Sequence, residues 1–141
     1  MPKSTNKPRE IFISHSHKDI DFASKLAEIL KRYRLKFWYS EQDIVGSKKW
    51  HDEIGKALSR CDWFVLVLSS NSIKSKWVKQ ELLFALNNVR YEDKIVPVLF
   101  KKCDPLELSW TLGNFQIIKF TTSFKKGFSD LLRVWGIKYQ P

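Results

Sequence analysis

One stretch constrains this chain more than any other: the uninterrupted apolar run Trp63-Phe64-Val65-Leu66-Val67-Leu68. Successive side chains of a strand point to opposite faces, so a strand with one wet face alternates apolar and polar residues, whereas one covered on both faces does not. The run therefore predicts a strand in the middle of a parallel sheet. Parallel strands need long crossovers, and helices supply both the crossovers and the cover. Ser69-Ser70-Asn71-Ser72 ends the run with residues that favour turns.

The remaining segments supply the other parts. Glu10-Ile11-Phe12-Ile13-Ser14 reads as a first strand, followed by the polar loop His15-Ser16-His17-Lys18 and by Asp19, placed to cap a helix. Phe22, Ala23, Leu26, Ala27, Leu30 and Tyr33 then recur at helical spacing. The aromatic content of Lys36-Phe37-Trp38-Tyr39 predicts a second strand, and Ser40–Lys49 a polar loop bending at Gly46. A helix from near Trp50 turns Ile54, Ala57, Leu58 and Cys61 inward. Another, from around Ser75, is expected to bury Trp77, Leu82, Ala85, Leu86 and Val89. Ile95–Phe100 reads as a fourth strand, in which Pro97 argues for an edge position or a bulge. Lys101–Gly113 is irregular or partly helical, Phe115–Phe120 a fifth strand, and Phe124, Phe128, Leu131, Leu132 and Trp135 the inner stripe of a closing helix.

Strands and helices in this alternation predict an α/β domain: a flavodoxin-like three-layer sandwich with a five-stranded parallel sheet of order 2-1-3-4-5 and helices on both faces. Ligands of such sheets settle beyond the carboxyl ends of the strands where the order reverses, here between strands one and three. Three segments meet that rule: the loop after Ser14, the loop after Tyr39, and the region from Ser69 into the third helix.

Composition narrows the class. A length of 141 residues suits one core, and 43% hydrophobic with 14% aromatic residues is enough to build it. The apolar runs are strand-length, short of the roughly 20 residues of a membrane-spanning helix. Met1–Arg9 is polar and lacks the apolar stretch of a secretory signal, so a cytoplasmic protein is expected. Cys61 and Cys103 form no CxxC pair and are expected to be reduced thiols. The net charge of +10 is spread through every segment without an interleaved basic and aromatic stripe, which reads first as a solvated surface and leaves nucleic-acid binding as a minor third reading.

The glycines form neither GxGxxG nor a P-loop, which excludes the usual hydride-transfer and NTPase signatures. His15-x-His17 with His51 lacks an acidic or thiol partner at ligand spacing, so no metal is expected and these read as solvated loop histidines. No GxSxG elbow follows a strand. Trp77 and Glu81, four apart, share a helix face beside the expected crevice. That spacing leaves two readings open: a core tryptophan beside a solvated charge, or an aromatic platform and a carboxylate suited to a nucleoside.

Ile11-Phe12-Ile13-Ser14-His15-Ser16, then Asp43 and Gly46, then Asp62–Ser70 followed by Ser75-x-Trp77-x-x-x-Glu81-Leu82, and finally Ile95-Val96-Pro97-Val98 resemble, in that order, the TIR (Toll/interleukin-1 receptor) domain family. The resemblance covers nearly the whole chain, and the Trp-x-x-x-Glu element resembles that of its NAD-cleaving branch. It implies residues 10–141 as the TIR domain, with 1–9 a flexible basic tail, and Glu81 as the catalytic glutamate. His15 and Ser16 would line the nucleotide site from the first loop, Tyr39, Asp43 and Trp50 would flank it, and Trp77 would supply the platform. Ser16 and His17 stand where several NAD-cleaving relatives carry basic residues, a departure that bears on phosphate contacts. NAD+ enters as substrate and no cofactor is implied. The resemblance also implies self-association through TIR–TIR contacts and a separate effector or sensor protein, as in small Thoeris-like TIR proteins of prokaryotic antiphage defence. The alternative it carries is a non-catalytic adaptor acting by self-association alone.

Overall fold

The computed structural model describes residues 7–40 and 48–141, with the backbone alone for 48–50. The expected bend at Gly46 and most of the loop Ser40–Lys49 lie outside the described residues. Strands β1 (Ile11–Ser14), β2 (Phe37–Trp38), β3 (Trp63–Leu68), β4 (Ile95–Leu99) and β5 (Ile118–Lys119) form one sheet, ordered β2-β1-β3-β4-β5 and parallel throughout. Between them run α1 (Ile20–Arg32), α2 (Lys48–Arg60) and α3 (Lys76–Leu86), and α4 (Phe124–Val134) closes the fold. The flavodoxin-like order expected from the sequence is the order observed.

β3 sits at the centre because its pattern allows no other place. It pairs with β1 on one side, Ile11 opposite Trp63, and with β4 on the other, Leu68 opposite Leu99, and all six residues are buried. Alternation along the strand then sorts the core into two layers. Trp63, Val65 and Val67 pack with Phe22, Ala23, Leu26 and Leu30 of α1 and with Phe128, Leu131 and Leu132 of α4. Phe64, Leu66 and Leu68 pack with Ile54, Ala57 and Leu58 of α2 and with Val78, Leu82 and Ala85 of α3. Cys61 is buried in this second layer, and burial pushes its thiol up to about 12, which leaves it inert. Cys103 is half-buried, and both cysteines are free.

Four expectations are corrected. Pro97 lies within β4, the fourth of five strands, and not at an edge. Phe100 donates its N–H to Leu68, while Leu99 accepts from Phe120, so odd-numbered residues of β4 face β5. Pairing with β5 begins only at Val98, and the missing N–H of Pro97 therefore interrupts no ladder bond. The fifth strand is only two residues long, because Phe115 still closes the 3-10 turn Trp110–Asn114. Val89 is 82% exposed: α3 ends at Leu86, and the turn Val89–Tyr91 rotates Tyr91 into the core in its place. Trp77 is half-buried, because the inner stripe of α3 runs through Val78, Glu81, Leu82 and Ala85.

Two helix-interior glycines separate backbone propensity from packing. A Cβ at Gly55 would meet nothing within 4 Å, whereas one at Gly127 would fall 2.6 Å from Cγ of Phe120. The Phe120 ring is itself held edge-on between Phe22 and Phe124, at 5.3 and 5.2 Å. Gly55→Ala should stabilise the protein by about 0.5–1 kcal/mol through helix propensity. Gly127→Ala should instead lose about 1–2 kcal/mol, because overpacking outweighs the same gain. Urea denaturation of both variants checks this, and a shift of the same sign in the two would contradict the packing at Phe120.

Candidate functional site

β1 feeds α1 into one helical layer, and β3 feeds α3 into the other. The loops leaving these adjacent strands therefore diverge, the arrangement by which sheets of this order form a ligand crevice beyond their carboxyl ends. What faces it follows from strand parity. Ile11 and Ile13 point to the α1 layer and Phe12 to the α3 layer, so Ser14, two residues on, also faces α3.

Glu81 meets Ser14 there. On α3 the buried positions Val78, Glu81, Leu82 and Ala85 follow the i, i+3, i+4, i+7 pattern of a core stripe, and Glu81 occupies a place that would ordinarily hold an aliphatic residue. Its side chain reaches the end of β1, where the Ser14 hydroxyl donates to Oε1 at 2.6 Å. Among the described residues no cation pairs with it, and Oε2 has no hydrogen-bond partner. Burial raises the Glu81 carboxyl to about 7, against the opposing influence of the Ser14 hydrogen bond. The helix start gives little help to the ionised form: α3 begins at Lys76, so Glu81 is its sixth residue, beyond the first turn where the helix dipole acts.

The loop after β1 is tied down at several points. His15 is half-buried and not a solvated loop histidine; its Nδ1 lies 2.8 Å from the Ser16 carbonyl and its Nε2 3.1 Å from that of Ser40. Burial lowers its pKa, while those two carbonyls and Asp19 act in the opposite direction. Ser16 is buried, and its hydroxyl accepts from the Lys18 N–H to cap a 3-10 turn, His17–Asp19. Asp19 occupies the N-cap position of α1 but makes no side-chain cap. Its carboxylate accepts instead from the Ser69 hydroxyl and, at 2.9 Å, from the Asn71 amide. Ser69 in turn accepts the N–H groups of Asn71 and Ser72, both at 3.1 Å. This buried clip fastens the loop after β1 to the turn after β3, across the base of the crevice. Sequence reading missed it, and a polar cluster at the end of an apolar strand was the available signal.

The other expected residues divide. Tyr39 lies beside His15, with ring centroids 6.0 Å apart, but its body packs on the α1 layer. Trp38, which sequence reading did not single out, packs on the α3 layer, stacked on Phe12 at 5.2 Å. Trp77 lies one turn before Glu81, with the His51 ring edge-on at 4.6 Å, which brings the start of α3 against α2. Asp43 lies outside the described residues; Trp50 belongs to the first turn of α2, and its side chain is not described. Glu81, Ser14, His15 and Ser16 are thus gathered at one end of β1, with Trp77 on the same helix as Glu81.

Known proteins resemble this chain in sequence and in fold. The NAD(+) hydrolase TcpC of Escherichia coli O6:H1 is 29% identical over 111 residues, 77% of this chain and 36% of that protein. The 2' cyclic ADP-D-ribose synthase AbTIR of Acinetobacter baumannii is 32% identical over 114 residues, 78% of this chain and 42% of that protein. This chain thus spans less than half the length of these relatives. Among solved structures, the TIR domain of the Toll-related receptor TRR-2 from Hydra magnipapillata shares the fold, with a TM-score of 0.66 at 16% identity over 94% of this chain and 93% of that one. With residues 11–132 also matching the model of the TIR domain, TIR_2, the chain belongs to the TIR domain family.

Proposed function

We propose that this domain cleaves the bond between nicotinamide and ribose in NAD+, with Glu81 as the catalytic carboxylate. The observation that carries this reading is a buried carboxylate in an apolar helix stripe, held by one hydroxyl and opposed by no cation among the described residues, where a parallel sheet of this order takes its ligands. The relatives named as an NAD(+) hydrolase and a 2' cyclic ADP-D-ribose synthase support the same substrate.

The chemistry suits a single carboxylate. Nicotinamide in NAD+ is a pyridinium, so when its bond to the ribose C1' breaks, the electron pair neutralises the ring nitrogen and no general acid is required. Positive charge develops on C1' and the ribose ring oxygen. An ionised Glu81 holds the ribose hydroxyls and stabilises that charge. Water then attacks C1' and loses a proton to give ADP-ribose, or a hydroxyl of the ADP-ribose unit does so to give a cyclic product. In this reading His15 and Ser16 line the nucleotide site, Tyr39, Asp43 and Trp50 flank it, and Trp77 offers its ring to a base. Residues 10–141 act as the unit, self-associating in the cytoplasm of a prokaryote, and the ADP-ribose-derived product signals to a separate effector during antiphage defence.

Incubation with NAD+ and mass spectrometry of the products should show nicotinamide release that Glu81→Ala and Glu81→Gln reduce by at least about a hundredfold, the usual cost of removing a charge-stabilising group. Full activity in either folded variant would refute the assignment, and no release over a wide concentration series would leave an adaptor. Because the ionised form does the work, log kcat/KM should rise with pH, approaching tenfold per unit below about 7 and levelling above it. Stability should run the other way. The native state keeps a proton that the unfolded chain releases between the ordinary value of 4.5 and about 7, so wild-type stability falls across that window by roughly 3 kcal/mol. Glu81→Gln should abolish that fall, making the variant the more stable protein above pH 7 in thermal melts.

A further inference from the structure

We propose that Ser14 is a positioning residue for Glu81: its hydroxyl, anchored by the sheet, holds the carboxylate in one orientation at the mouth of the crevice. The consequence for turnover rests on the NAD+ reading; the contact itself does not.

The argument starts from what each residue would do alone. Ser14 is 1% exposed and follows Phe12 on the face toward α3, so its hydroxyl is committed to an apolar layer and needs a partner. Its main chain is fixed by the β1–β3 ladder, where it lies opposite Leu66. Glu81 stands on a different element, at the end of a side chain with three rotatable bonds, and α3 fixes only its root. Val78 and Leu82 are both fully buried neighbours that offer it no polar contact. The 2.6 Å bond to Ser14 is therefore the one directional restraint on the carboxylate among the described residues, and it engages Oε1 alone. A serine hydroxyl has a single proton to donate, and an ionised carboxylate is the acceptor that uses it best. One oxygen is pinned and the other left for a sugar hydroxyl. Geometry matters at this level because a displacement of about 1 Å in a reacting group costs on the order of a hundredfold in rate.

The clip of Asp19, Ser69 and Asn71 supports the same alignment from outside. It joins the segment leaving Ser14 to the segment leading into α3, so the strand end that carries the donor and the helix that carries the acceptor are fastened at the base of the crevice as well as through the core.

Ser14→Ala and Ser14→Thr in the full chain test the proposal. Carbon NMR titration of the Glu81 carboxyl should show its midpoint moved to higher pH in Ser14→Ala and near the wild-type value in Ser14→Thr. Nicotinamide release by Ser14→Ala should fall about tenfold at pH 7 with KM little changed. That deficit should narrow at pH 9, where the carboxyl is ionised without help. An unchanged titration midpoint in Ser14→Ala would overturn the proposal, as would a rate deficit that vanishes altogether at pH 9, because a lost orientation slows the reaction at every pH. Should the wild type release no nicotinamide, a midpoint that moves in Ser14→Ala still supports the contact, while the enzymatic reading falls.

Discussion

The double pairing of β3 is the constraint on which the rest depends. A strand of six apolar residues has no wet face, so its backbone must find partners on both sides and its side chains must find cover on both faces. Parallel neighbours β1 and β4 meet the first need, and the two helical layers meet the second. Once β3 is central and its crossover runs opposite to that of β1, the crevice is a geometric consequence. Strand parity does the rest: Ser14 faces α3 because Phe12 does.

Comparison of the buried carboxylates shows which of them is out of balance. Glu10 receives a two-point contact from Arg60, with both bonds at 2.9 Å. Asp19 is satisfied by Ser69 and Asn71. Each is a structural acid whose charge or lone pairs are met. Among the described residues Glu81 has a single hydroxyl and no cation, in a stripe otherwise made of Val78, Leu82 and Ala85. Burying a carboxylate on those terms costs stability, and a folded chain retains such a group where something other than folding uses it. The imbalance is what distinguishes a candidate site from the other polar groups in the core.

Much of the architecture was legible because it rests on period and alternation. The inner positions of α1, Phe22 through Leu30, and of α4, Phe128 through Leu132, are those the spacing names. Local rules failed where tertiary context overrode them. Asp19 stands at a cap position yet serves Ser69 and Asn71, a demand raised by residues fifty places away. Val89 has the composition of a buried residue, but the chain leaves α3 before reaching it. Pro97 is tolerated in an inner strand because the adjacent one is too short to need its N–H. In each case the deciding partner is distant in sequence, and periodicity carries no information about it.

For the site, the sequence determined which residue types were present and on which elements: a glutamate and a tryptophan one turn apart after the central strand, and a serine at the end of the first. It could not say whether Glu81 was solvated or buried, because spacing alone allowed both. Tertiary structure decided that, by rotating α3 so that Val78 and not Trp77 leads the inner stripe, and by setting the end of β1 opposite. It also set Glu81 beyond the reach of the helix start and gave it a hydrogen bond from Ser14, and it drew Trp38 and Tyr39 to opposite layers of the sheet. The physical reason is one of range. Propensity and period act over a few residues along the chain, whereas burial, desolvation and the partner of a buried hydroxyl depend on surfaces that meet only when the layers pack.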